Sequence, residues 1–370
     1  LLMGGRKLKL LLVLTGGTIS TVVKDNVLGI SGNSPYAILE KYRKSIENTK
    51  EFPEFDIIEP VRILSECSEP KFLEQIYYGI LEKLGLGKNA VEVREENKKR
   101  TLQKQNLPYD GIIVTHGSDT LSYTAAFLAV TFSFIEIPLV LTAADYPLSD
   151  RRSNGLKNFS DAVDFIRYGK LQGVFTIWQN RIVDNSSING NLFSASELLE
   201  ADTCRDCFSS YSGQALGKIE HGVCTIFQKE RELCNDKKIF DLHIEQEILF
   251  LRPYPGLRYD LLALEHTNIR AVVHYLYHSG TAYVKEQKQE NKKYNVLTFA
   301  NYCKTLGIDL YFAGLKKEVK HLYETNDLLL KSGLGKAMYH ISPEMAYMKV
   351  LIAYNQTVMP RNVLFKKGFS

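Results

Sequence analysis

Two short apolar runs in the N-terminal half of the chain have the pattern of strands that are covered on both faces. The run at residues 8–14 is interrupted only by Lys9, and Ile112-Ile113-Val114 is apolar throughout. Strands buried on both faces lack polar alternation and are typical of parallel sheets. Residues 121–130 follow the second run with helical spacing and several alanines. The pattern therefore predicts the strand, loop and helix units of an α/β fold.

Further segments continue this alternation. Residues 139–141 and 174–178 have the composition of strands, and residues 156–168 between them have helical spacing. Strands that alternate with helices predict a doubly wound, mainly parallel sheet. In such sheets ligands bind at the carboxyl ends of the strands. We therefore expect any site to lie in the loops that follow the strands.

The length of 370 residues favours two domains. The chain becomes polar at residues 228–241, and apolar strands resume at residues 248–250. We predict an N-terminal α/β domain at residues 1–227, a linker at residues 228–244 and a smaller, three-layer α/β domain at residues 245–370.

Charge and hydropathy exclude several classes of partner. The 46 basic residues exceed the 42 acidic residues by four and are scattered, so nucleic acid is not an expected partner. The apolar run at residues 8–14 is too short to span a bilayer, and the stretch at residues 125–144 contains Glu136 and Pro138. No signal peptide is apparent. We therefore expect a cytoplasmic protein with no membrane contact.

The cysteines do not predict a metal centre. Cys204 and Cys207 form a Cys-x-x-Cys pair, but Cys224 and Cys234 do not complete a zinc spacing. Without a signal peptide, reduced thiols are the default. We expect no metal and no cofactor.

Two loops carry candidate chemistry. The first strand ends in Thr15-Gly16-Gly17-Thr18, which combines a tight bend, exposed amide donors and a hydroxyl. The strand at residues 112–114 ends in Thr115-His116-Gly117-Ser118-Asp119-Thr120, which adds a second hydroxyl and a carboxylate. A single Thr-Gly-Gly-Thr is most simply a turn. Two such loops after different strands predict one shared cleft.

These two loops resemble the paired motifs of the bacterial L-asparaginase and glutaminase family. Their separation of about a hundred residues suits that family, and further similarities run along the chain. Ile63-Leu64-Ser65-Glu66 resembles its substrate-binding loop, Pro253-Tyr254-Pro255-Gly256 the start of its second domain, and Ser342-Pro343-Glu344-Met345 its last helix. The resemblance implies an asparaginase-like two-domain α/β fold.

The resemblance also implies a role for each matching residue. Thr18 would be the nucleophile, and Ser118 would fill the position of a second catalytic threonine. Asp119 would bind the substrate α-amino group, and Ser65 would bind its α-carboxylate. The other substrate-binding positions would be Gly17 and Gly117, with backbone amides near Gly117 and Ser118 stabilising the tetrahedral oxyanion. Judged from the residues alone, Glu66 is either a binding group for the substrate amine or a solvated loop residue.

Two expected residues are missing. The family has a lysine that supports the aspartate, but the corresponding residues 180–190 contain none, and Arg181 comes too early to align. A buried Asp119 without a cationic neighbour would be a weaker hydrogen-bond acceptor. The family also has a tyrosine on the loop after the first motif. Residues 21–34 contain none, and Tyr36 is the nearest.

The leading hypothesis is hydrolysis of the side-chain amide of asparagine or glutamine through an acyl ester on threonine. The alternative is a catalytically silent member of the family that binds an amino acid. A third hypothesis is the ammonia-releasing subunit of a tRNA-dependent amidotransferase, although such subunits usually have an extra N-terminal domain and this chain begins almost directly with its first strand. The resemblance also implies a homodimer or homotetramer.

Overall fold

The chain divides into two compact units, Leu1–Asp241 and Leu242–Lys366. The computed structural model describes residues 6–17, 19, 21–24, 27–30, 36–46, 51–87, 107–169, 171–180, 190–220, 222–227, 239–285, 289–317 and 321–357. The division falls inside the linker predicted at residues 228–244, of which residues 228–238 lie outside the described part.

An eight-stranded sheet and a two-stranded hairpin form the first unit. In chain order the strands are β1 (Lys9–Leu14), β2 (Thr21–Lys24), β3 (Val27–Ile30), β4 (Glu54–Ile58), β5 (Gly111–Thr115), β6 (Pro138–Thr142), β7 (Gly173–Gln179), β8 (Gly190–Ser194), β9 (Gly217–Glu220) and β10 (Val223–Ile226). The large sheet has the order β10-β9-β8-β7-β6-β5-β1-β4, and β2 pairs with β3. The neighbouring strands β4, β1, β5, β6 and β7 are all parallel to one another. The pairs β7–β8, β8–β9 and β9–β10 are antiparallel. The predicted mainly parallel sheet is confirmed.

Helices cover both faces of this sheet. They are α1 (Ala37–Ser45), α2 (Pro70–Lys83), α3 (Leu121–Thr131) and α4 (Gly155–Tyr168). α1 packs against α4, and α2 packs against α3. Tyr42 of α1 and Phe159 of α4 join the buried cluster that contains Leu10, Leu12 and Leu14 of β1. Because residues on one strand face alternate with those on the other, the intervening Leu11 and Val13, which are also buried, face the opposite layer.

The second unit is a smaller three-layer α/β domain, as predicted. Its parallel sheet has the order β11 (Glu247–Leu251), β12 (Ile269–Tyr275), β13 (Asp309–Leu315) and β14 (Lys336–Tyr339). Its helices are α5 (Val296–Thr305), α6 (Glu324–Lys331) and α7 (Pro343–Tyr354). Phe299 of α5 packs with Val272 and Leu310 on one face. On the other face the hydroxyl groups of Tyr354 of α7 and Tyr311 of β13 lie 3.2 Å apart.

His274 of β12 is a buried titratable group in this second core. Its Nε2 lies 2.7 Å from the hydroxyl oxygen of Tyr259, and its ring packs against Phe312. Burial lowers the pKa of His274 from its ordinary value of 6.5 to about 4. A neutral imidazole is therefore the form that the folded unit holds at neutral pH.

We predict that His274 makes the protein sensitive to mild acid. Because its pKa is lower in the folded state, the unfolded chain binds the proton first as the pH falls. The free energy of unfolding is then unaffected above about pH 6.5 and decreases towards pH 4, by up to about 3 kcal/mol. His274→Gln should flatten this dependence, as measured by urea unfolding at about pH 7.5 and pH 4.5. An equal loss of stability in both proteins would contradict the prediction.

Candidate functional site

Two central strands of the first unit end side by side and bring their loops together. β1 and β5 are parallel neighbours, with Leu14 opposite Thr115. Beyond the strands, the N–H of Thr15 donates to the carbonyl oxygen of Thr115 at 3.2 Å, and Thr15 Oγ1 donates to the same oxygen at 2.9 Å. The two loops that the sequence indicated therefore leave the sheet at adjacent points of its carboxyl edge.

A third segment, residues 63–66, is hydrogen-bonded onto the first of these loops. The N–H of Ile63 donates to the carbonyl oxygen of Thr15 at 3.2 Å, and the N–H of Gly17 donates to the carbonyl oxygen of Ile63 at 3.1 Å. The segment continues into the one-turn 3₁₀ helix Ser65–Cys67. Three stretches that are distant in sequence thus meet at one place.

The close packing of these stretches requires glycine at two positions. Gly17 has φ +75°, and a Cβ atom on it would collide with the backbone nitrogen and Cα of Gly117. A Cβ atom on Gly117 would collide with the side chain of Ser65. The two loops therefore touch backbone to backbone, and Ser65 lies directly against them.

Ser65 connects this backbone contact to the acidic residue of the second loop. Its side chain is buried, and Ser65 Oγ donates to Asp119 Oδ2 at 2.9 Å. Thr120 Oγ1 donates to the carbonyl oxygen of Ser65 at 3.0 Å. These two bonds fix the third segment to the second loop and orient the carboxylate of Asp119.

Asp119 has no positively charged partner in the part of the chain that the structure describes. Within these residues no lysine or arginine lies within ion-pair distance of its carboxylate. Residues 181–189, which cover most of the stretch where the resemblance places a lysine, lie outside the described residues. Asp119 is exposed in the turn that leads into α3, so the weakening expected for a buried carboxylate without a cation does not apply to it. Water can therefore solvate its charge.

Two further predicted residues, Ser118 and Glu66, lie beside this meeting point. Ser118 is half-buried, and its carbonyl oxygen accepts the N–H of Leu121 at 3.4 Å. Glu66 follows Ser65 and is exposed. Thr18 lies outside the described residues, although both of its chain neighbours, Gly17 and Ile19, are buried.

His116 has a positioning role that the sequence did not reveal. Its imidazole is buried, with Nδ1 2.8 Å from the carbonyl oxygen of Gly117 and Nε2 3.0 Å from Thr124 Oγ1. A carbonyl can only accept, so Nδ1 carries the proton and Nε2 accepts from the threonine hydroxyl. Burial lowers the pKa of His116, which keeps this neutral form. The carbonyl of Gly117 is thereby held, and with it the orientation of the peptide that carries the N–H of Ser118.

The described residues contain neither a candidate metal site nor a helix that could cross a membrane. Among them, no cluster of three or more histidine, cysteine, aspartate or glutamate side chains could hold a metal ion. No helix in the described ranges has the length and apolar character that crossing a membrane requires.

Comparison with known proteins finds relatives in sequence as well as in structure. The sequence profile of the family "Asparaginase, N-terminal" matches residues 96–232. An L-asparaginase of Thermococcus kodakarensis is 26% identical over 154 residues, which cover 42% of this chain and 44% of that protein. The chain thus aligns with less than half the length of that relative. A glutamyl-tRNA(Gln) amidotransferase subunit of Saccharolobus solfataricus is 22% identical over 363 residues, covering 94% of this chain and 74% of that protein.

Solved structures show the same fold. The thermostable L-asparaginase of T. kodakarensis superposes with a TM-score of 0.66 at 18% identity, over 95% of this chain and 94% of that one. L-asparaginase I of Vibrio cholerae gives a TM-score of 0.67 at 18% identity, over 96% and 94% of the two chains.

The fold is therefore that of the L-asparaginase structures. Residues 96–232 are similar to the N-terminal domain of the asparaginase family.

We predict that Gly17→Ala destabilises the protein more than Gly85→Ala. Both glycines have positive φ, +75° and +70°, but a Cβ atom on Gly85 would meet nothing within 4 Å. Gly85→Ala should therefore cost only the backbone strain of about 1–2 kcal/mol. Gly17→Ala should cost about 1–3 kcal/mol more, because the backbone of Gly117 must move. Urea unfolding of both variants measures the difference, and equal losses would show that the two loops do not touch.

Proposed function

We propose that the protein hydrolyses the side-chain amide of L-asparagine or L-glutamine, releasing ammonia and the corresponding acid. The observation that carries this proposal is the contact of Gly17 with Gly117, together with the hydrogen bond from Ser65 to Asp119. It brings two glycine loops and a carboxylate to one place at the carboxyl edge of the sheet. Such an edge is where α/β sheets bind small ligands.

In the proposed reaction, Thr18 Oγ attacks the amide carbon of the substrate, and its proton passes to the leaving nitrogen through the hydroxyl of Ser118. Ammonia leaves, and the acyl group remains as an ester on Thr18. Water then attacks this ester, which releases the acid and restores the threonine hydroxyl. One water is consumed for each amide cleaved.

The negative charge of the tetrahedral intermediate would be stabilised by backbone N–H groups near Gly117 and Ser118. The hydrogen bond that His116 makes with the carbonyl of Gly117 supports this role, because the C=O and N–H of a trans peptide point in opposite directions. A fixed carbonyl therefore fixes the donor on its other side.

Asp119 would bind the α-ammonium group of the substrate. Its exposure leaves the carboxylate accessible, and the bond from Ser65 occupies only one of its oxygens. The hydroxyl proton of Ser65 is thereby used, so Ser65 acts on the substrate through Asp119. Backbone N–H groups are then the better candidates for binding the α-carboxylate.

The missing lysine predicts a slow enzyme. Residues 180–190 contain no lysine, and without one beside Asp119 and Ser118 proton transfer from Thr18 would rely on hydroxyl groups and the carboxylate. General acid and base catalysis of this kind typically contributes about 10²- to 10⁴-fold, so a substantial part of that factor would be lost.

A catalytically silent amino-acid-binding protein is the second candidate. It is favoured by the lack of a cationic partner for Asp119 among the described residues. Calorimetry that detects binding of L-asparagine while ammonia release stays at the uncatalysed rate would support this candidate and overturn the first.

An ammonia-supplying amidotransferase component is the third candidate. It is favoured by the relative from the S. solfataricus amidotransferase, whose alignment covers 94% of this chain. Release of ammonia from glutamine by the purified chain alone would count against dependence on a partner protein.

We predict that Thr18→Ala lowers ammonia release from L-asparagine by about a thousandfold or more, because the ester can no longer form. Thr18→Ser keeps the hydroxyl and should retain measurable release. A coupled ammonia assay with asparagine and with glutamine compares the three proteins. Unchanged release by Thr18→Ala would remove Thr18 from the mechanism.

We predict that Ser65→Ala raises KM for asparagine about tenfold with a smaller effect on kcat. The lost charge-assisted hydrogen bond leaves Asp119 free to rotate, and tenfold corresponds to about 1.4 kcal/mol. Glu66→Gln is the matched control, since it removes a charge from the exposed neighbour of Ser65. A larger increase in KM for Glu66→Gln would assign the α-ammonium group to Glu66 instead.

The homodimer or homotetramer that the resemblance implies is also part of the proposal. Light scattering coupled to size-exclusion chromatography measures the mass directly, and a monomer of 42.1 kDa would contradict it.

A further inference from the structure

A pair of cysteines outside the proposed site lies in one tight turn between β8 and β9. Residues 203–206 form the turn, which is closed by the bridge between Asp202 and Cys207. The N–H of Asp202 donates to the carbonyl oxygen of Cys207 at 2.9 Å, and the N–H of Asp206 donates to the carbonyl oxygen of Asp202 at 2.8 Å. Cys204 and Cys207 are both present as thiols, Cys204 exposed and Cys207 partly so.

The spacing of the two cysteines along the turn is compatible with a disulfide. They are three residues apart, and the Cα atoms of residues with this spacing in a tight turn lie within about 7 Å. Disulfides join Cα atoms that are about 4.4–6.8 Å apart. Asp206 between them has φ +51°, which turns the chain back towards Cys204.

The turn also contains a positive charge close to both sulfur atoms. Arg205 lies between the cysteines, and its guanidinium is 3.0 Å from Asp202 Oδ2. The pKa of Arg205 is raised first by the hydrogen bond and charge of Asp202, and then by the sulfur atoms of Cys207 and Cys204. Cys207 Sγ lies 3.3 Å from the carbonyl oxygen of Arg205, to which the thiol donates.

The turn is fixed to the end of β7. Trp178 Nε1 donates to the carbonyl oxygen of Asp206 at 3.0 Å, and the Trp178 ring lies 5.0 Å from that of Phe208. Asn180 makes two hydrogen bonds with the backbone of Phe208, at 2.8 and 2.9 Å. The cysteines are therefore presented on an anchored turn, and the anchor includes the single tryptophan of the chain.

We propose that Cys204 and Cys207 form a reactive dithiol that low-molecular-weight disulfides, such as oxidised glutathione, convert to an intramolecular disulfide. One thiolate attacks the small disulfide, forming a mixed disulfide and releasing one small thiol. The second thiolate then attacks the protein sulfur of that mixed disulfide and releases the second small thiol. Two protein thiols are oxidised and one small disulfide is reduced to two thiols, so electrons and atoms balance.

Thiol labelling of the full-length protein tests this proposal. After incubation with oxidised glutathione, iodoacetamide labelling of Cys204 and Cys207 should fall at least about tenfold, and their peptide should lose about 2 Da for the two hydrogens. Dithiothreitol should restore the labelling. In Cys207→Ser, Cys204 should instead carry a stable glutathione adduct. Cys67→Ser, which removes an exposed cysteine elsewhere, should behave like the wild type.

A stable glutathione adduct on the wild-type peptide, or full labelling after incubation, would overturn the proposal. Tryptophan fluorescence provides a second measurement that needs no enzymatic activity. Because Trp178 is bonded to the turn, its emission should change on oxidation of the wild type and not of Cys204→Ser. An unchanged emission in the wild type would show that the turn does not close.

Discussion

The first unit depends on one contact between two backbones. Gly17 and Gly117 touch because β1 and β5 are parallel neighbours that end at the same level, with Leu14 opposite Thr115. Neither glycine has a Cβ atom, so no side chain separates the loops. Any larger residue at either position would displace Ser65 or the neighbouring strand end. Amide donors, hydroxyl groups and a carboxylate are thereby gathered at one edge of the sheet.

At this edge of the sheet, the carboxylate of Asp119 is stabilised in a different way from a carboxylate that pairs with a cation. Asp119 is oriented by the hydroxyl of Ser65 and solvated by water, and no described cation pairs with it. Solvation stabilises the charge of Asp119, which explains how an aspartate is tolerated here with no described cation beside it. It also weakens the field that Asp119 exerts on nearby groups, because water screens charge more strongly than protein does.

The sequence predicted the strands that are apolar on both faces. β1, β5, β6 and β7 are buried strands, and their largely apolar runs identified them. The sequence analysis missed β4, β8 and β9. β4 and β9 are short and include charged residues, and β8 contains a glycine and an asparagine. The strand conformation of such short segments depends on pairing with neighbouring strands more than on their own sequence pattern.

The candidate site was predicted less completely than the fold. Motif spacing predicted that residues 15–18 and 115–120 share a cleft, and the strand register brings the described parts of both loops into contact. Exposure of Asp119 could not be predicted, because it depends on where the turn before α3 lies. The bonds of His116 to Gly117 and Thr124 were likewise invisible, since a buried histidine in a motif is usually a packing residue.

A structure of the protein with L-aspartate bound tests the central claim most directly. The account predicts the α-ammonium group within hydrogen-bond distance of the Asp119 carboxylate, and the side-chain carboxylate facing the amides of Gly117 and Ser118. Aspartate bound away from all three loops, or with its ammonium group turned from Asp119, would contradict it.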